Sequence, residues 1–176
     1  VLTDAPTPHP YIRVRDLNNK RIVDLDESFE YVDIDTQKSI SRYIVNSGDI
    51  IISIVGTIGL VSIVGETLHN ANLTENCVKL VNFSNADPLY IYYFLQSVYG
   101  QDEIAKGAVG AVQAKLPIKN IKDIRIYTPP LSEQRRIAAI LSALDDKIEL
   151  NNQINKNLEA QAQALFVKLI IEGNSH

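Results

Sequence analysis

TPPLSEQRRIAAILSALDDKIELNNQINKNLEAQAQALFVKLII, residues 128–171, decides how the rest of the chain divides. Pro129 and Pro130 end whatever precedes them, because proline fixes its own φ and cannot donate a ladder hydrogen bond. Ser132 stands where an N-cap belongs, and Glu133 faces the positive end of the helix dipole. No Gly or Pro follows until Gly173. An uninterrupted run of about 39 residues would form a helix of roughly 58 Å at ~1.5 Å per residue. Globular helices average only ~11–12 residues.

The apolar repeat says what such a helix is for. With Ile137 as heptad position a, the series runs Ile137, Leu144, Asn151, Leu158 and Leu165. The flanking seam holds Ile140, Leu141, Ile148, Ile154, Ala162 and Leu169. A strict seven-residue repeat fits a left-handed coiled coil, and one Asn at an a position sets register and partner number at some cost in stability. The expected dimer interface is Ile137, Leu141, Leu144, Ile148, Asn151, Ile154, Leu158 and Leu165. The competing reading is a surface helix packed on its own domain, with Asn151 exposed.

The same residues carry a family likeness. PPLSEQRRIAAILSALDDKIELNNQI resembles the segment that closes each half of the specificity subunits of type I restriction-modification systems. Pro129, Pro130, Leu131, Glu133, Gln134, Ile137, Leu141, Leu144, Asp145 and Ile148 occupy the positions of that pattern. The likeness extends upstream. Ile12, Arg13, Asp16 and Leu17 match an Ile-Arg-x-x-Asp-Leu element, and Gly48, Asp49, Gly56, Thr57 and Gly59 match a Gly-Asp-hydrophobic-Gly-Thr-x-Gly run. Gln113 and Leu116 fill the Gln and Leu that follow a Gly-rich loop, whereas Ala108 and Val109 stand where the family has small polar residues.

Length and composition set bounds. The 176 residues leave room for one domain, 1–131, followed by a dimerisation and spacer helix, 132–172. No run of 18 apolar residues suggests a membrane span, and no secretory signal is evident. The single cysteine, Cys77, suggests a reducing, cytoplasmic setting. The chain has no Met, so it reads as a processed or excised piece. The net charge is −4, but it is unevenly spread. Asp24 to Asp35 holds six acids and no base, while Lys106 to Arg125 holds five bases and one acid. A mildly acidic protein can bind DNA if its bases converge on one face.

Along the chain, Tyr11 to Arg15 alternates like a half-buried strand. Ile50 to Val55 and Leu60 to Val64 read as a buried hairpin about Gly56–Gly59. Tight turn geometry explains those glycines better than a phosphate cradle, since no Lys-Ser/Thr follows. Leu73 to Val81 reads as a strand. Asp87-Pro88 starts a helix, with Asp as cap and Pro at its first position. Ile104 to Lys115 reads as a flexible loop, and Asn120 to Tyr127 as a final strand. The fold class is therefore α+β, a mixed, β-rich recognition domain followed by one long C-terminal coiled-coil helix.

Catalytic constellations are missing from the sequence. His9, His69 and His176 are widely spaced, and His69 and Cys77 form no metal-ligand pattern. Thr128-Pro-Pro-Leu131 is similar to an adenine-methyltransferase motif but lacks its acidic or amide residue and its aromatic. No cofactor is expected. Arg, Lys, Asn and Gln in loops are the residue types that meet base edges and phosphates. The candidate DNA contacts are Arg15, Lys20, Arg21, Arg42, Lys106, Gln113, Lys115 and Lys119. The resemblance implies a non-catalytic subunit that reads half of a split double-stranded DNA target. It also implies adenine methyltransferase subunits that bind the methyl donor, translocating restriction subunits, and pairing through the long helix as a homodimer. Two alternatives remain, a coiled-coil scaffold that binds protein through the 24–35 acidic loop, and a recognition module excised from a larger methyltransferase-nuclease.

The seam makes a direct prediction. Asn151→Leu should raise the thermal midpoint and loosen control of oligomer number. Unchanged melting and unchanged sedimentation would place Asn151 outside the interface.

Overall fold

The structure, a computed structural model, describes residues 2–17, 20–110 and 114–172, with side chains placed to residue 170. The chain separates into two compact units, one through Arg135 and one from Arg136 onward. The first holds two mixed sheets. Sheet A has the order β1-β4-β2-β8-β5, from β1 (Leu2–Thr3), β4 (Glu30–Val32), β2 (Pro10–Ile12), β8 (Ala71–Leu73) and β5 (Ile44–Val45). Sheet B has the order β3-β7-β6-β9, from β3 (Ile22–Val23), β7 (Val61–Val64), β6 (Ile50–Ser53) and β9 (Cys77–Leu80). The helices are α1 (Ile34–Ser39), α2 (Pro88–Gln96), α3 (Val98–Gly107), α4 (Ile118–Lys122) and α5 (Leu131–Phe166). The α+β reading, strands followed by one long helix, matches this architecture.

β6 is the centre of sheet B. Ile50 pairs with Ile63 of β7 and with Leu80 of β9, both antiparallel. All four of its residues are buried, which explains a continuous apolar run instead of an alternating one. Ile51 joins Ile12, Val45 and Leu73 of sheet A in the main core. Ile52, on the other face, lines a groove with Ile91 and Leu95 of α2. The Gln96 amide donates to the Val61 carbonyl at 2.9 Å, pinning α2 to β7.

The hairpin turn is tight, as its glycines suggest. Gly56 and Gly59 have φ of 79° and 86°. The Gly59 and Leu60 amides donate to the Ser53 carbonyl and hydroxyl at 3.0 and 2.9 Å. Those amides are therefore spent inside the turn. Asp87 caps α2 by accepting from the Tyr90 amide at 3.0 Å, with Pro88 at the first helical position.

Several segments differ from their sequence reading. The strand expected over Tyr11–Arg15 ends at Ile12, because the Asp16 carboxylate accepts from the Arg13 amide at 2.7 Å and turns the chain into a 3-10 helix, Val14–Leu17. Asp16 and Leu17 are both buried there. The strand expected over Leu73–Val81 is two strands in different sheets, β8 and β9, split by a turn in which the Cys77 amide donates to the Thr74 carbonyl. The loop expected from Ile104 is helical through Gly107. Ser97 caps that helix by accepting from the Gly100 amide. A Cβ at Gly100 would collide with the Phe94 carbonyl and Leu95 Cα, so only glycine allows the close elbow between α2 and α3. The final strand expected over Asn120–Tyr127 is replaced by α4 and an extended segment outside both sheets.

α5 has 36 residues and runs into a π-helical segment, Val167–Glu172. Ser132 is not its cap. The Pro130 carbonyl accepts from the Glu133 and Gln134 amides at 2.8 and 3.1 Å, which leaves Ser132 exposed in the first turn. Gln134 is 1% exposed. Its amide oxygen accepts from the Asp87 amide at 2.9 Å, and its amide nitrogen donates to the Pro129 carbonyl at 2.7 Å. One side chain thus ties the start of α5 to the start of α2. No described helix is long and apolar enough to cross a membrane.

Gln134→Leu keeps the volume but removes these bonds and a longer one to the Asn85 carbonyl at 3.4 Å. A buried polar group left unpaired costs about 1–3 kcal/mol. Urea unfolding should show a lower midpoint by at least one such group; an unchanged midpoint would mean that Gln134 does not clamp the helix start.

Candidate nucleic-acid interface

Three groups of cations emerge from the fold, and they differ in what surrounds them. The first lies beside the acidic strip. Arg15 is held by the Asp16 carboxylate at 3.5 Å and donates to the Ser28 carbonyl at 3.0 Å. Lys20 pairs with Asp26 at 2.9 Å. The Asp26 carboxyl is lowered to about 2, first by the Ser28 hydroxyl and then by Lys20. Arg13 likewise pairs with Glu30. Arg21 approaches the Tyr93 hydroxyl at 3.4 Å.

The second group is on α3. Lys106 meets Asp102 at 2.6 Å and Glu103 at 3.0 Å. These two carboxylates raise its ammonium above the usual lysine value, Asp102 most. Glu103 is lowered by Lys106 and by the Arg125 backbone. Tyr99 and Tyr127 stand nearby, 79% and 75% exposed. A phosphate approaching Lys106 would meet two carboxylates as well as one ammonium.

The third group has no such neutralisation. Arg42 lies over the Tyr43 ring, 4.8 Å from its centroid. Arg42, Tyr43, Lys79 and Lys122 rim a groove of about 390 Å³ whose floor is Leu73, Cys77, Leu80 and Ile121. The Lys79 ammonium donates to the Ile44 carbonyl at 2.5 Å, joining the edge of sheet B to the edge of sheet A. Lys119 precedes Lys122 by one turn of α4, so the two are neighbours on its surface. Lys115 lies in the preceding segment, where its backbone bridges Val55 and Val109, and it lines neither groove.

Of the eight residues proposed from sequence, Arg15, Lys20 and Lys106 are therefore tied to carboxylates. Arg42, Lys115 and Lys119 are exposed, with no acidic partner among the described residues. Gln113 lies outside the described residues. Tyr43, Lys79 and Lys122 line the same groove as Arg42 and were not among those eight. Lys122 carried a signal, its three-residue spacing from Lys119, but only a helix makes that spacing meaningful.

Cys77 is 2% exposed and its thiol is pushed up to about 12, chiefly by burial and then by Asp16. A thiol so raised is a core side chain, inert as a nucleophile. Among the described residues no cluster of three or more His, Cys, Asp or Glu could hold a metal.

Residues 3–160 match the family model for the type I restriction modification DNA specificity domain. The chain belongs to this family. A Methanocaldococcus jannaschii protein named as a candidate type I restriction enzyme MjaX specificity subunit is 32% identical over 136 residues, 74% of this chain and 29% of its own length. The type I restriction enzyme EcoBI specificity subunit of Escherichia coli is 29% identical over 152 residues, 84% of this chain and 31% of its own. The chain thus spans roughly a third of the length of the curated relatives it matches. The crystal structure of the type I restriction-modification S subunit from M. genitalium superposes with a TM-score of 0.59 at 18% identity, over 93% of this chain and 40% of that one. That likeness shows the shared fold. The relatives are named as specificity subunits of type I restriction enzymes.

The fold gives three of the sequence motifs a structural role. The Asp16-Leu17 pair is a buried turn, the Gly-Thr-x-Gly element is a closed hairpin turn, and the Gln of the Glu-Gln pair is the buried Gln134 clamp. Those elements hold the scaffold, and the exposed cations lie between them.

Proposed function

We propose that this chain reads one half of a bipartite duplex DNA target for a type I restriction-modification complex. The observation that carries the reading is the match of residues 3–160 to the DNA specificity domain. In this reading residues 1–131 are the recognition domain and residues 132–172 the spacer helix. The chain performs no chemistry and holds no cofactor. It positions adenine methyltransferase subunits and translocating restriction subunits in the cytoplasm.

The helix supports the partner assignment. Leu144, Ile148, Ile154, Leu158 and Leu165 are 54%, 57%, 47%, 56% and 57% exposed in the single chain. An apolar stripe of that length at a seven-residue period fits a second helix. We assign that helix to a second copy, which would place two recognition domains on DNA sites more than one turn, ~34 Å, apart. The target is then split and symmetrical.

The rival is a scaffold whose acidic strip, residues 24–35, binds protein. A randomised duplex pool offered to the chain plus its methyltransferase subunit separates the two. Enrichment of one split, symmetrical motif, with retention falling steeply between low and moderate salt, is expected. Assembly of the two proteins with no duplex retained would overturn the DNA reading and leave the scaffold.

A further inference from the structure

We propose that the sugar-phosphate backbone of the target runs along the face built by α4, β9 and the Ser41–Tyr43 turn, with Arg42 and Lys122 as phosphate contacts. This rests on the DNA reading above and names the surface that performs it. The first argument is charge. The groove rimmed by Arg42 and Lys122 is continuous with a second of about 400 Å³, and the two share Lys79, Leu80, Ile121 and Lys122. No acidic residue lines either one. In a chain of net charge −4 this is a local excess of positive charge. A polyanion is favoured where cations lack internal partners, because no ion pair has to be broken for it to bind.

The second argument is pre-organisation. The guanidinium of Arg42 rests on the Tyr43 ring, which orients its planar donors without consuming them. Lys79 is fixed by its bond to the Ile44 carbonyl, and Lys122 stands on α4 next to Ile121, which lines both grooves. Such supports restrict side-chain freedom before binding, which lowers the cost of ordering. Floor residues Leu80 and Ile121 offer an apolar surface to deoxyribose carbons between adjacent phosphates. The neutralised cations, Lys20 and Lys106, sit beside carboxylates that repel phosphate.

The test uses the complex of this chain with its methyltransferase subunit and the duplex selected from the random pool. For Arg42→Gln and Lys122→Gln the slope of log affinity against log salt should become shallower by about 1 each, and by about 2 in the double variant. Lys20→Gln and Lys106→Gln should leave the slope unchanged, and Arg42→Lys should restore it. In the unmutated complex, adding duplex should protect Lys119 and Lys122 from acetylation, a readout that needs no variant to fold. An unchanged slope in the double variant, or no protection of Lys122, overturns the proposal. Loss of methyltransferase assembly at an unchanged slope overturns it too and makes this face a protein-docking surface. A wild-type complex that retains no duplex removes the DNA reading itself, and the assigned face with it.

Discussion

Burial of both faces of β6 is the constraint on which the recognition domain depends. Ile50, Ile51 and Ile52 are all 0% exposed. A strand with three consecutive buried isoleucines needs a cover on each side. Sheet A covers one through Ile12, Val45 and Leu73, and α2 covers the other through Ile91 and Leu95. Fully burying one such side chain is worth ~1.5–3 kcal/mol. With both covers in place, the outer edge of sheet B is β9, and α4 packs beside it. The groove between them is a consequence of the core.

Charge then sorts the surface. This protein has more acids than bases, and several of its cations are already paired. Lys20 answers Asp26, Lys106 answers Asp102 and Glu103, and Arg15 leans on Asp16. Exposed pairs of this kind add little stability, ~0–1 kcal/mol each, but they cancel the local potential. The face carrying Arg42, Lys119 and Lys122 has no such pairing among the described residues. In the proposed reading, the distribution of carboxylates matters more than the net charge.

Long-period and punctuated features were legible in the sequence. α5 announces itself by 36 residues without Gly or Pro, the β6–β7 hairpin by two β-branched runs about Gly56 and Gly59, and α2 by Asp87-Pro88. Short elements were not legible. α4 has five residues, too few for a helical period, and Ile121, Ile124 and Ile126 imitate a strand. Gly107 and Gly110 made the stretch from Ile104 read as a loop, although α3 continues through Gly107, and Gly100 lets α2 and α3 meet. Thr74 to Asn76 hides a change of sheet within one apolar run. The groove was least legible, because Arg42, Lys79 and Lys122 are far apart in sequence and only the fold brings them together. Gln134 was visible as part of a motif, but its role as a buried clamp depends on Asp87, 47 residues away.

The central claim is that the face whose grooves have no acidic lining residue, not the more obviously charged loops, meets DNA. A structure of the chain with its methyltransferase subunit on the selected duplex tests it most directly. The account predicts backbone phosphate oxygens within about 4 Å of the Arg42 guanidinium and the Lys122 ammonium, the reach of an ion pair. A duplex lying instead against Asp102, Glu103 and Lys106, with Arg42 and Lys122 open to solvent, would contradict it.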